Sequence, residues 1–267
     1  MRRRFLTCAQ RIAIGAIVMM LAGFAASTRA ADAAQARSPI DKPHYTDAEI
    51  IDGFFKVAFG AEYRLSGRSD RIRKYVAPVR IAIEGVASRR RRAELTRIIA
   101  DIGRRIRHLD IALAADPAQA NMTVTLVRDR DLHRTIAKRF GPEHARAMRR
   151  RLDPQCLSGF RKNDRFEIER SEVILPVDAG GAIFRSCAYE EVLQALGPIN
   201  DTDTVPWTTF NDDVRATAFG VYDQLLLNIL YDPRIRPGMT AGEVRSVLPQ
   251  VLPDIRAFVA RNGGQRP

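Results

Sequence analysis

The chain has 267 residues, 46% of them hydrophobic, with a formal net charge of +12 and three cysteines. That is enough apolar material for one sizeable core or two small lobes. No internal repeat and no low-complexity segment occurs, which excludes a solenoid or an array of linkers.

The first stretch reads MRRRFLTCAQRIAIGAIVMMLAGFAASTRAADA. Arg2, Arg3 and Arg4 form a basic start, Ile12 to Ala26 an apolar run, and small residues follow, which is the pattern of a cleaved secretory signal. The run is short of the ~20 residues that span a bilayer, so an uncleaved N-terminal anchor is the lesser alternative. Ala30, Ala33 and Ala36 are candidate cleavage points, with Ala33 favoured, and RRRFL resembles a twin-arginine export signature as well as an ordinary signal. Losing residues 1–33 removes five arginines and one aspartate and leaves a charge of +8. The expected location is periplasmic or secreted. A basic exported protein can adhere to anionic envelope polymers or to a membrane surface.

Residues 34–45 are polar and carry two prolines, a flexible lead-in. A single domain is expected over 46–262. Thr46 with Glu49 is a capping box, and Ile50, Ile51, Phe54, Phe55 and Phe59 give a helical apolar face. PVRIAIEG alternates as a strand. The next 27 residues, ASRRRRAELTRIIADIGRRIRHLDIAL, place Leu95, Ile98, Ile99, Ile102, Ile106 and Leu109 at helical spacing with arginines elsewhere. ANMTVTLVRD is a second strand. Leu132 to Leu152 is read as one or two basic helices, interrupted at Gly141-Pro142. CLSGFRKNDRFEIERSEVILPVDAGG reads as a hairpin, and a helix is expected from Gly181 to Gly197, a helix-stop residue. PINDTDTVPWTTFNDD is a long polar loop. TAFGVYDQLLLNILYD is a strongly apolar helix, and a last helical stretch, capped by Thr240 and Glu243 and broken by Pro249 and Pro253, ends near Arg261. The fold class is α+β, helix-rich with a small mixed sheet.

Cys8 precedes the apolar run and leaves with the signal. Cys156 and Cys187 remain, and two cysteines left in an oxidising compartment are expected to pair, the alternative being two buried thiols. Four histidines occur, at positions 44, 108, 133 and 144, and no two have H-x-x-x-H spacing; C-x-x-C is also absent. A conventional zinc protease helix needs two histidines one turn apart with a glutamate beside the first. The arginine-rich stretches SRRRR and MRRRL lack interleaved aromatics, so they read as solvated helix faces, and nucleic acid is not an expected partner.

Five stretches, IDGFFKVAFGAEYR, IRKYVAPVRIAIEG, CLSGF, CAYEEVLQALGPINDTDTVPWTTFNDD and LLLNILYDPRIRPGM, resemble domain-of-unknown-function family 2927 of exported bacterial proteins, over most of the mature chain. That family brings no established activity with it. More remotely, YEEVLQALGPIND resembles the H-E-x-x-H-x-x-G-x-x-H helix of matrixin-like zincin metalloproteases. The overlay implies a zincin-like C-terminal half. It sets Glu190 at the first ligand, Glu191 at the general base, Gln194 at the second ligand, Gly197 at the turn, and Asn200, with Asp201 beside it, at the third. Phe210 falls where the Met-turn methionine would be.

With every imidazole replaced, Glu190, Gln194, Asn200 and Asp201 would form an oxygen-donor cluster, suited to a hard divalent cation and poorly to zinc. Residues four apart share a helix face, so Glu190 and Gln194 can act together. The same side chains can equally serve as hydrogen-bonding residues tying loop 198–213 to the helix, with Asn and Asp capping turns. Three readings follow. The first and favoured one is a non-catalytic, degenerate zincin-like envelope protein that binds a partner or is structural. The second is a metal-dependent hydrolase with an atypical ligand set and Glu191 as base. The third is a basic binder of anionic envelope polymers.

Overall fold

A computed structural model describes residues 42–59, 70–149, 156–178, 180–198, 200–211, 213–214 and 216–262. The signal, its cleavage point, Cys8 and most of the lead-in lie outside the described residues, as does the end of the second basic stretch, Arg150 to Leu152.

Helix α1 (Asp47–Ala58) starts where the capping box puts it: Thr46 Oγ1 accepts from the Glu49 amide at 3.2 Å, and the Glu49 carboxylate accepts from the Thr46 amide at 2.8 Å. Strand β1 (Val79–Gly85) leads into α2 (Arg89–Arg105), capped by Ser88. A three-residue strand β2 (Ile111–Leu113) and then β3 (Met122–Val127) follow. The basic region forms α3 (Leu132–Phe140) and α4 (Pro142–Arg149), split at Gly141 as the Gly-Pro pair predicts. Strands β4 (Leu157–Lys162) and β5 (Ile168–Pro176) make the hairpin. Helices α5 (Gly181–Gln194), α6 (Val221–Tyr231) and α7 (Ala241–Asn262) complete the chain.

The five strands form one mixed sheet in the order β2-β1-β3-β5-β4, with β4 the antiparallel edge and the other pairs parallel. This is the α+β class expected. Alternation along the strands divides the sheet into two unequal faces. Val79, Ile81, Met122, Val124, Leu126, Val173 and Leu175 face the main core with α1, α2, α5, α6 and α7. Val127, Leu157 and Ile174 face a small cluster under α3 and α4.

Four elements differ from the sequence expectation, one of them α6, which begins at Val221 and leaves Thr217 to Gly220 outside the helix. Helix α2 stops at Arg105 instead of running on towards Leu113, and the chain turns into β2. The stop has a long-range cause: Asn228 of α6 donates from Nδ2 to the Arg105 carbonyl at 2.7 Å and accepts the Arg107 amide at 2.8 Å, so a remote side chain caps the helix end. Helix α5 ends at Gln194, three residues before Gly197. Helix α7 passes through Pro249 and Pro253 unbroken. Both prolines are exposed, so the carbonyls they leave unbonded face water, while Val244, Leu248, Val251, Leu252, Ile255 and Val259 are buried and hold the helix in place.

Residues 70–78 are an unexpected structural hub. Two cations that are neighbours in sequence, Arg73 and Lys74, are both buried. Arg73 donates to the Ala58 carbonyl at the end of α1 (3.0 Å), and Lys74 Nζ donates to the Leu230 and Asp232 carbonyls at the end of α6 (2.9 and 3.1 Å). Each therefore satisfies carbonyls, and meets the negative dipole end, of a different helix. Burial pulls the Lys74 ammonium down to about 8, against a smaller opposing pull from Asp232.

Candidate functional site

Helix α5 follows β5 after a short glycine-containing turn, and its last two turns are buried almost all round: Cys187, Ala188, Tyr189, Glu191, Val192, Leu193 and Gln194 are all inside. Cys187 is bonded to Cys156, just before β4, with a Cα–Cα separation of 5.9 Å. The pairing expected from the two remaining cysteines is present, and it pins α5 to the hairpin.

One turn further along lies the predicted ligand cluster. Gln194 is buried, and its amide is used at both ends. Ser158 of β4 donates its hydroxyl to Oε1 at 3.3 Å, while Nε2 donates to the Asp201 carboxylate at 2.5 Å. Glu190 is half-buried and Glu191 buried, and neither these two nor Asp201 is without a partner. Asn200 goes elsewhere: its side-chain amide donates to the Lys56 carbonyl at 2.7 Å, near the end of α1. The structure thus brings Gln194 and Asp201 together and directs the Asn200 amide to another helix.

Between them, Gly197 has φ +139°, and a Cβ there would sit 2.3 Å from the Arg73 carbonyl oxygen, so only glycine fits. Three carbonyls at the end of α5 find partners beyond its last full turn. The Gly197 amide donates to Gln194 O (2.9 Å), the Ser171 hydroxyl to Ala195 O (2.8 Å) and the Tyr231 hydroxyl to Leu196 O (2.8 Å). Tyr75 and Ser171 share a further 2.7 Å hydrogen bond.

The polar loop after Gly197 is also held by α6 and by one bond of its own. Asp223, only 1% exposed, accepts from the Thr208 hydroxyl at 2.6 Å and the Thr209 amide at 2.9 Å, and Asn211 donates to the Val205 carbonyl. Phe210 is wholly buried in the main core. None of Ser158, Ser171, Tyr231 or Asp223 was singled out from the sequence. Asp223 and Asn228 did carry a usable signal: polar residues inside the strongly apolar stretch VYDQLLLNILY have to find buried partners.

A family model described as "Protein of unknown function (DUF2927)" matches residues 47–250. The chain belongs to the DUF2927 family. No curated protein and no solved structure matches it. In this DUF2927 protein, the donor set fits a metal poorly. Among the described residues no three His, Cys, Asp or Glu side chains gather as a metal-holding group. A cation at Gln194 and Asp201 would have to displace an amide N–H already aimed at the carboxylate, and would gain only a neutral amide oxygen in exchange. Activation of water at neutral pH needs a strong Lewis acid close by, and a neutral amide oxygen is a weak ligand for one.

Proposed function

We propose that this DUF2927 protein is an exported, non-catalytic binding or structural protein with a zincin-like C-terminal half, in which the place of a metal centre is taken by a closed hydrogen-bonded junction. The observation that carries the reading is the Gln194 amide, spent on Ser158 of the edge strand and on Asp201 of the following loop. Both ends of that side chain act in packing: one fastens the helix to the sheet, the other fastens the loop to the helix. The adjoining Cys156–Cys187 bond fastens the same helix to the same edge strand covalently. Such a junction suits a rigid scaffold that presents a surface.

Export is supported by the basic, then apolar, start of the sequence and by the disulfide, a bond that persists in oxidising compartments. Among the described residues no helix is long and apolar enough to cross a membrane.

The test is hydrolysis. Wild-type protein and Glu191→Gln are incubated with a mixture of unstructured peptides and the products read by mass spectrometry. Identical, uncleaved profiles agree with the proposal; cleavage by wild type that Glu191→Gln loses would overturn it.

A further inference from the structure

A groove of about 840 Å³ is lined by α2 and α5, with Thr217, Ala218 and, from α7, Asn262 also lining it. Along α2, Arg90, Glu94, Arg97, Asp101 and Arg104 recur at steps of four and three and so form one stripe. At a rise of 1.5 Å per residue the three arginines stand roughly 10 Å apart over roughly 21 Å. Arg105 and, from α5, Arg185 complete the basic lining. Five arginines against two carboxylates leave three positive charges in the groove.

The two acids are already committed. Glu94 is held by Arg91 at 2.9 Å and Arg185 at 3.1 Å. Burial pushes its carboxyl up, but the hydrogen bonds from the two guanidiniums outweigh that and leave it below the ordinary range. Asp101 is held by Arg104 at 3.1 Å and Arg105 at 2.8 Å, and accepts the Tyr189 hydroxyl at 3.0 Å. Among the described residues, the ion pairs of the groove involve neither Arg90 nor Arg97, and both are exposed. The acids are thus taken up by Arg91, Arg104, Arg105 and Arg185, and the charge left to face solvent is that of Arg90 and Arg97.

We infer that this groove binds an extended, linear polyanion, a chain of repeated phosphate or carboxylate groups, along the Arg90–Arg97–Arg104 stripe. Guanidinium forks match both oxyanions, and spacing along the helix favours a chain over a single anion. Nucleic acid fits less well. The one aromatic residue lining the groove, Tyr189, is buried with its hydroxyl bonded to Asp101, so no stacking platform for bases is present. The inference is independent of the Gln194 junction.

Binding of fluorescent long-chain inorganic polyphosphate to the mature protein tests it, with polygalacturonate as the carboxylate chain and orthophosphate, single-stranded DNA and anionic phospholipid vesicles as comparators. Arg90→Ala/Arg97→Ala removes the two exposed cations that the groove's ion pairs do not involve. Arg130→Ala/Arg134→Ala removes the same charge from α3 and the turn before it, on the other face of the sheet. The expected result is binding of one or both linear chains that weakens with salt, falls roughly tenfold in the first double variant and changes less than twofold in the second. Equal losses in both variants, no binding of either chain, or equal binding of DNA or vesicles through Arg90 and Arg97 would overturn it.

Discussion

Gln194 and Asp201 are joined side chain to side chain at 2.5 Å across the turn made by Gly197. Seven residues separate them in sequence, and the glycine brings the loop back onto the helix that has just ended. The same glutamine accepts a hydroxyl from the edge strand, so one buried side chain ties helix, sheet and loop. Its value is structural, because a buried amide deprived of its partners keeps the cost of its lost hydration.

Gln194→Ala is expected to lower stability by about 1–3 kcal/mol in denaturant titration. Gln194→Glu replaces the donor facing Asp201 by a second carboxylate and is expected to cost more. Adding Asp201→Asn restores a donor–acceptor pair, and a double-mutant cycle is expected to return ~1 kcal/mol or more of coupling.

Gly197→Ala is expected to cost about 2 kcal/mol or more, because the backbone is left-handed there and the methyl group meets the Arg73 carbonyl. The loss is read as a lowered melting temperature with unchanged far-ultraviolet circular dichroism.

The disulfide closes a loop of 31 residues in sequence separation, for which chain entropy gives a stabilisation of about 3 kcal/mol. Cys156→Ala/Cys187→Ala is expected to match the reduced wild type in stability. It should also raise amide exchange in β4, whose covalent link to α5 is lost.

Lys74 gives a pH signature. Burial puts its folded value at about 8 against an ordinary 10.5, so between those values the unfolded chain binds more protons than the folded one. Stability therefore rises as pH increases from 8, by a total on the order of 3 kcal/mol across the window. Burial also pushes Tyr75, Tyr189, Tyr222 and Tyr231 above their ordinary 10.0, and these groups begin to lower stability as pH approaches 10, where their unfolded forms start to ionise. Denaturation midpoints from pH 8 to about 9, below the onset of the tyrosine effect, are expected to climb in wild type and to be flat in Lys74→Met.

What could be read from the sequence was local. The Thr46–Glu49 box, the alternation of β1 and β3, the Gly141-Pro142 break and the turn at Gly197 each depend on residues within a few positions, and each is found where expected. The cysteine pair was legible for a different reason, being the two thiols left once the start of the chain is set aside. What could not be read depends on distant partners. Nothing near Arg105 says that Asn228 ends its helix, and nothing in IRKYV says that Arg73 and Lys74 cap helices 15 and 156 residues away. At the candidate site, spacing alone brought Gln194 towards Asp201 but could not tell that the Asn200 amide turns to α1.

The most direct measurement is calorimetric titration of the metal-stripped protein with Zn²⁺ and with Ca²⁺, repeated on Gln194→Ala. The account predicts no stoichiometric heat for either ion in either protein, the junction being closed by Ser158 and Asp201. One equivalent bound by wild type and lost in Gln194→Ala would contradict it.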